Sequence, residues 1–181
     1  MIFEEKTTSS REIYQGKIIR VRVDQVEMPE GKLATREIVE HPGGVGVVAL
    51  TPENEIILVK QFRKAIDMAI YEIPAGKMDP GEEPERCGIR ELEEETGLKA
   101  GKFTYLGFMY PSPGFTDEVT HVYLATELYQ GTMHPDPDEY LDLERMSLKQ
   151  AVERIMCNEI CDGKTVFGVL KTLELLRNNG S

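Results

Sequence analysis

The chain has 181 residues, the size of one globular domain or of one domain with a small appendage. Its formal net charge of −11 argues against binding to nucleic acid or to anionic membranes, because phosphate surfaces are held chiefly by clustered Lys and Arg. The opening MIFEEKTTSS lacks the features of an export signal, and three cysteines are too few for a disulfide framework. We therefore expect a cytoplasmic protein, and its acidity does not exclude a small phosphorylated ligand.

The N-terminal part of the sequence has the pattern of a small sheet. Residues 11–40 alternate apolar and charged side chains, which is the period of a half-buried strand, and a turn is predicted at residues 29–31. The sequence HPGG at residues 41–44 then interrupts this pattern. We expect an N-terminal antiparallel β-sheet arm at residues 1–42 and a main domain at residues 43–181.

The main domain mixes strand and helix signals. Short apolar runs bounded by polar turns predict buried strands, and apolar side chains at helical spacing predict amphipathic helices. This mixture favours an α/β sandwich with a mixed sheet over a bundle or a barrel. The predicted strands span residues 45–50, 56–62, 71–73, 104–109 and 118–125, and the predicted helices span residues 84–96, 147–155 and 164–177.

The predicted helix at residues 84–96 carries a cluster of glutamates. Glu91, Glu94 and Glu95 have spacings that place all three carboxylates on one side of the helix. Like charges this close repel one another, so the cluster favours bound cations, and carboxylate oxygens select hard ions such as Mg²⁺. The alternative is a solvated acidic helix face. Gly76 and Gly81 in the preceding loop favour the cation site, because glycines allow a tight turn and close approach to a ligand.

The segment from residue 75 to residue 98 resembles the Nudix box, G-x5-E-x7-R-E-U-x-E-E-x-G-U, where U is a bulky aliphatic residue. The resemblance implies a Nudix α/β/α sandwich that hydrolyses a nucleoside diphosphate linked to a variable group. All nine fixed positions of the box are matched: Gly76, Glu82, Arg90, Glu91, Leu92, Glu94, Glu95, Gly97 and Leu98.

The resemblance also implies how the metal is held. Glu91 and Glu95 would be metal ligands, with help from Glu94 and from the carbonyl of Ala75. The cofactor would be Mg²⁺, with Mn²⁺ as a substitute. Bound divalent ions neutralise the diphosphate and lower the pKa of a bound water.

Other residues are expected to assist the chemistry. By the same resemblance, Arg90 and Glu82 would form an orienting ion pair. Glu139, in the acidic turn HPDPDEYLDLE, is the candidate general base and a candidate metal ligand. A solvated acidic turn is the alternative interpretation. Three neighbouring acidic residues are further candidates for the base: Asp136, Asp138 and Asp142.

The segment YPSPGFTDE, residues 110–118, indicates a substrate class. Its Pro113 lies fifteen residues after Leu98, and in this it resembles ADP-ribose pyrophosphatases. Without the resemblance, the same residues are simply a rigid turn. The segment contributes five candidate substrate-binding residues: Ser112, Gly114, Phe115, Thr116 and Glu118.

Two arginines complete the predicted substrate site. Arg36 and Arg63 resemble phosphate-contacting or ribose-contacting positions, and arginine suits this role because it donates in a bidentate manner. The sequence has no tryptophan to stack on a base, which leaves Tyr14 and Phe115 as candidates. The N-terminal arm resembles the sheet that such enzymes exchange in forming a homodimer.

The predicted reaction is hydrolysis of ADP-ribose, or of a related nucleoside diphosphate sugar, to AMP and ribose 5-phosphate. Another nucleotide sugar or a nucleoside triphosphate is the alternative substrate. A binding module without turnover is the alternative from another class, but all four box glutamates are present, and we expect binding-only relatives to lack some of them.

Overall fold

A computed structural model of the chain describes residues 3–135 and 140–179. The chain forms two compact units. The first contains residues 1–43 together with residues 110–119, and the second contains residues 44–109 and 120–181. Among the described residues, none of the helices combines the length and the apolar composition of a membrane span.

The first unit is built on a three-stranded antiparallel sheet in which β2 is central. The expected N-terminal sheet is thereby confirmed. A single 3₁₀ turn, Pro29–Gly31, joins the second and third strands, and every residue of the first strand is exposed in the single chain. The strands are β1 (Lys6–Gln15), β2 (Arg20–Glu27) and β3 (Leu33–Glu40).

The second unit contains a seven-stranded mixed sheet with helices on both faces. In it β4 pairs in parallel with β9, and the other strand pairs are antiparallel. The main path of the sheet is β10-β5-β4-β9-β8, with β6 paired to β5 and β7 paired to β4. The strands are β4 (Gly44–Leu50), β5 (Glu55–Arg63), β6 (Met68–Glu72), β7 (Ala75–Lys77), β8 (Leu98–Met109), β9 (Thr120–Gln130) and β10 (Asp142–Ser147). The helices are α1 (Pro84–Thr96), α2 (Leu148–Met156) and α3 (Gly163–Asn179).

Strand β4 lies at the centre of the core, and all seven of its residues are buried. On one face, Val45 and Val47 pack with Leu92 of α1. On the other face, Val48 packs in a cluster that includes Val169 of α3. A strand covered on both sides reads as a continuous apolar run, which is why this part of the sheet could be predicted. The expected α/β/α sandwich is confirmed.

The edges of the sheet differ from the prediction. Strand β8 begins at Leu98, immediately after the helix, whereas the sequence predicted a strand from residue 104. Strand β10 was not predicted, and Met146 is its one buried residue. Edge strands are covered on fewer sides, so polar residues persist in them and weaken the alternating signal.

Candidate active site

Helix α1 carries the box glutamates, and local sequence fixes both of its ends. Pro84 occupies the first turn, where its missing N–H is not needed. Gly97 ends the helix in the left-handed region at a φ of 67°, with its N–H donating to the carbonyl of Glu93. Cys87 and Leu92 are fully buried against the sheet. The helix is therefore held in one register, which determines where its carboxylates lie.

Glu91 lies directly against the backbone of Gly76. A Cβ at position 76 would be 1.8 Å from Oε1 of Glu91, so no other residue fits there without displacing the carboxylate. Glu91 is itself buried. The close approach expected from glycine in this loop is therefore present, but the group that approaches Gly76 is a carboxylate of the protein.

Glu95 is hydrogen-bonded to the backbone of Ala75, the residue before Gly76. It is 2% exposed, and its Oε2 accepts a hydrogen bond of 2.9 Å from the Ala75 N–H. The structure thus places three of the predicted metal ligands, Ala75, Glu91 and Glu95, at one site beside Gly76. Two buried carboxylates against one short strand form a strongly anionic site.

Arg90 is the cation that balances this cluster. Its Nη1 donates at 2.8 Å to both Glu91 and Glu94, and its Nε and Nη2 each donate at 3.0 Å to Glu82. These hydrogen bonds are the main reason why the pKa of Glu82 is lowered to about 2, and the pKa of Arg90 is raised in turn. The predicted Arg90–Glu82 ion pair is present in the structure.

The donor chemistry of this cluster fits a hard divalent cation. The carboxylates of Glu91, beside Gly76, and of Glu95 supply oxygen atoms, which Mg²⁺ prefers to nitrogen or sulfur ligands. In the described residues, however, no group of three or more His, Cys, Asp or Glu side chains is arranged to hold a metal. Arg90 instead binds Glu91 and Glu94, so a cation at these oxygens would share or replace its Nη1 hydrogen bonds.

Arg63, predicted to bind substrate, has a carboxylate partner that the sequence analysis did not identify. Its Nε and Nη2 donate to the two carboxylate oxygens of Glu72 at 2.5 and 2.7 Å. Glu72 is 1% exposed and also accepts a hydrogen bond from Lys164. Burial disfavours ionisation of Glu72, but these two cations outweigh it and lower its pKa. A glutamate at the end of an apolar strand was the available sequence signal.

Arg36, the other predicted substrate arginine, lies on β3 in the first unit. Its Nε donates to Glu5 at 2.8 Å, and its Nη1 donates to the carbonyl of Thr35. Both predicted arginines therefore have partners within the chain. Tyr14, a candidate for base stacking, is 56% exposed on β1.

The segment Tyr110–Val119 belongs to the first unit, and its backbone pairs with β3. The N–H of Val39 donates to the carbonyl of Phe115 at 2.8 Å, and a parallel bridge joins Val39 to Thr116. The carbonyl of Ser112 accepts from the N–H groups of Phe115 and Thr116. Phe115 is 53% exposed. This segment is therefore an ordered turn with an exposed aromatic ring.

The other predicted residues of this segment are placed by local contacts. Gly114 has no atom within 4 Å of the position that a Cβ would take. The N–H of Glu118 donates to the hydroxyl of Thr116 at 3.1 Å, and a carboxylate oxygen of Glu118 lies 3.8 Å from Nδ1 of His41. The same Nδ1 accepts a hydrogen bond of 3.1 Å from the Gly43 N–H.

The predicted general base, Glu139, lies outside the described residues, as do Asp136 and Asp138. The remaining candidate, Asp142, is exposed at the start of β10 and pairs in register with Lys60 of β5.

Comparison with known families assigns both parts of the chain. Residues 40–161 match the NUDIX domain, and residues 5–39 match the nucleoside diphosphate sugar hydrolase N-terminal domain. The chain belongs to the Nudix family. The resemblance carried by the glutamate helix is thereby confirmed, and the protein is a Nudix hydrolase.

Several known proteins align with more than nine-tenths of this Nudix hydrolase. It is 47% identical to the "ADP-ribose pyrophosphatase" of Bacillus subtilis (strain 168), over 92% of this chain and 91% of the relative. It is 44% identical to the "Methanol dehydrogenase activator" of Bacillus methanolicus, over 93% and 92%. The "ADP-ribose pyrophosphatase" of Mycobacterium tuberculosis is 38% identical, over 91% and 81%.

A solved structure described as an "ADP compounds hydrolase" matches this Nudix hydrolase with a TM-score of 0.87. The match covers 98% of this chain and 96% of the other. The identity is 20%, so this likeness establishes the shared fold.

Proposed function

We propose that this Nudix hydrolase cleaves the diphosphate of ADP-ribose, with Mg²⁺, to give AMP and ribose 5-phosphate. The observation that carries the proposal is the pair of buried carboxylates, Glu91 and Glu95, held against Ala75 and Gly76. The names of two relatives, from Bacillus subtilis and Mycobacterium tuberculosis, support the choice of ADP-ribose. The product pair follows from hydrolysis between the two phosphorus atoms.

Charge explains why a cation is required at this site. The four box glutamates and Arg90 have a formal charge of −3 together, which would repel a diphosphate. The ligands proposed for the cation are Glu91, Glu95, Glu94 and the carbonyl of Ala75. When bound, Mg²⁺ supplies charge neutralisation of the diphosphate and a bound water of lowered pKa.

The residues of the chain then have distinct proposed tasks. Glu82 holds Arg90 through two hydrogen bonds, and Arg90 in turn holds the carboxylates of Glu91 and Glu94 in place. Glu139 is proposed as the general base that takes the proton of the attacking water. A positioned base contributes about 10² to 10⁴-fold in rate. Asp142 is an alternative base.

The substrate contacts are proposed from the two units separately. In the second unit, Arg63 would contact the diphosphate or a ribose. In the first unit, Arg36 would do the same, and Phe115 or Tyr14 would stack on the base. The turn would supply polar contacts from four residues: Ser112, Gly114, Thr116 and Glu118.

We propose that the enzyme is a cytoplasmic homodimer in which the N-terminal arm, residues 1–42, mediates association. The ten exposed residues of β1 form a long strand that a second copy could cover. The free cysteines Cys87, Cys157 and Cys161 suit a reducing compartment. Sedimentation of the full chain tests the dimer, and a monomer at micromolar concentration would exclude it.

Hydrolysis of another nucleotide sugar is the second candidate. The "GDP-mannose pyrophosphatase" of Citrobacter koseri is 32% identical over 144 residues, which is 73% of this chain. Comparison of kcat/KM for ADP-ribose, GDP-mannose and a nucleoside triphosphate, with and without chelator, separates these candidates. Absence of AMP and ribose 5-phosphate from ADP-ribose with Mg²⁺ would refute the first.

The substitution Glu95→Gln tests the metal role of the helix. We expect loss of turnover with retention of the fold, because the amide lacks the charge that a cation needs. Glu93→Gln is the matched control, since Glu93 lies on the same helix but pairs with Lys99 at 3.1 Å. If Glu95→Gln were as active as Glu93→Gln, the metal role of Glu95 would be rejected. A binding module would be favoured only if the unaltered protein bound a nucleotide sugar without turnover.

A further inference from the structure

Glu72 is a buried anion that holds two cations, and nothing in the Nudix box accounts for it. It is the last residue of β6 and is 1% exposed. The carboxylate accepts two hydrogen bonds from Arg63 on β5, at 2.5 and 2.7 Å, and one from Lys164 on α3. A bidentate arginine pair on a buried carboxylate is rigid, because two guanidinium nitrogens and both carboxylate oxygens are fixed.

The rest of the network ties this pair to the first turn of α3. The Nζ of Lys164 lies 3.1 Å from a carboxylate oxygen of Asp162. Asp162 accepts from the N–H and the hydroxyl of Thr165, at 3.0 and 2.6 Å. The Thr165 hydroxyl oxygen in turn accepts from the Ile73 N–H at 2.9 Å. Two anions and two cations therefore form a neutral cluster.

A short stretch of backbone connects this cluster to the site that contains Glu91 and Glu95. Ile73 is separated by one residue from Ala75, whose N–H donates to Glu95. Glu95 also contributes to the raised pKa of Arg63, after the larger effect of Glu72. The side chain of Arg63 is 43% exposed, so it remains accessible to a ligand although its carboxylate partner is buried.

We infer that Glu72 is a positioning residue that orients Arg63 toward the diphosphate or ribose of a bound nucleotide sugar. The inference rests on the proposed function. Glu72 engages Nε and Nη2 of Arg63, and among the residues that the structure describes, no hydrogen bond is made by Nη1. One nitrogen of a fixed guanidinium, Nη1 with its two N–H groups, therefore remains for a ligand. Its orientation is set before binding, which lowers the entropic cost of binding.

A neutral amide cannot replace this carboxylate. The amide of Glu72→Gln accepts at one atom and donates at the other, so it would face Arg63 or Lys164 with donor against donor. The cluster would also carry one uncompensated positive charge in a buried place. Arg63 would then adopt other rotamers, and the substrate would lose a preset contact.

The experiment is a double-mutant cycle on kcat/KM with Glu72→Gln, Arg63→Ala and the double variant. For the substrate that the protein cleaves best, we expect Glu72→Gln to lower kcat/KM by about 10²-fold, mostly through a higher KM. Arg63→Ala should divide its effect between KM and kcat in the same way. The double variant is expected to be no worse than Arg63→Ala. Glu144→Gln is the control, because it also removes a carboxylate partner of an arginine, Arg154, and should change kcat/KM less than about twofold.

Two results would overturn the inference. One is wild-type kcat/KM in folded Glu72→Gln, and the other is a double variant that is worse than Arg63→Ala by the full loss of Glu72→Gln. If Glu72→Gln is unfolded, Glu72→Asp enters the same cycle, since its shorter side chain keeps the charge but cannot reach both cations. If wild-type protein cleaves no nucleotide sugar, the proposed function fails. In that case a thermal-unfolding cycle still reports whether Glu72 and Arg63 are coupled.

Discussion

The substitution Gly76→Ala tests how tightly the loop and helix α1 fit. The added Cβ would lie 1.8 Å from Oε1, 2.0 Å from Cδ and 2.4 Å from Oε2 of Glu91. Ordinary contact needs about 3.5 Å, so the carboxylate must retreat by roughly 1.5 Å. Gly76 does not have a left-handed φ, so the effect is steric clash rather than backbone strain.

We expect activity to fall more than stability in this variant. A misplacement of about 1 Å at a catalytic group costs about 10²-fold in rate, and overpacking costs about 1 to 3 kcal/mol of folding free energy. The assay is hydrolysis of ADP-ribose across a Mg²⁺ titration, with thermal unfolding measured in parallel. The apparent Mg²⁺ affinity should weaken, since Glu91 is a proposed ligand.

Gly163→Ala is the matched control for this substitution. Its Cβ would meet Cε of Met109 at 3.3 Å, the end of a flexible side chain that can move. Activity close to that of the unaltered protein is expected. If Gly76→Ala kept full activity with an unchanged Mg²⁺ dependence, the close fit between Gly76 and Glu91 would have no part in catalysis.

The pKa of Glu82 is lowered from 4.5 to about 2, so its ionised form stabilises the fold above pH 4.5. In unfolding experiments, the free energy of unfolding of the unaltered protein should exceed that of Glu82→Gln, and this difference should shrink as the pH falls from 4.5 to 2. A difference that is constant over this range would contradict the prediction. Burial raises the pKa of Cys87 to about 12, so a thiol reagent should modify the exposed Cys157 and Cys161 in the native protein and Cys87 after unfolding; rapid native reaction of all three would refute this. Gly97→Ala forces a Cβ into the left-handed region and should cost about 1 to 2 kcal/mol, which is seen as a lower Tm, and an unchanged Tm would exclude the strain.

The sequence predicted the elements that are covered on both sides. The buried run of β4 and the proline and glycine at the two ends of α1 are strong local signals, and both elements were found where expected. The positions of Glu91 and Glu95 on one helix face follow from helical spacing alone. These features needed no information about distant residues.

The features that could not be predicted depend on distant parts of the chain. Lys164 meets Glu72 across 92 residues of sequence, and no periodicity in either segment indicates that contact. The bonds of Arg90 to both Glu91 and Glu94 also depend on rotamers that spacing does not fix. Strand β10 was missed because its sequence is polar and it pairs with β5, which lies far earlier in the chain.

The parallel pairing of β4 with β9 determines when the active site can be completed during folding. The whole glutamate helix and the strand of Ala75 lie in the chain segment that this pairing encloses. Closing so long a loop is slow compared with forming a helix or a hairpin. We therefore expect the helix to form before the sheet closes. We also expect a ribosome-bound chain that stops before Thr120 to be inactive, because β4 then lacks its parallel partner.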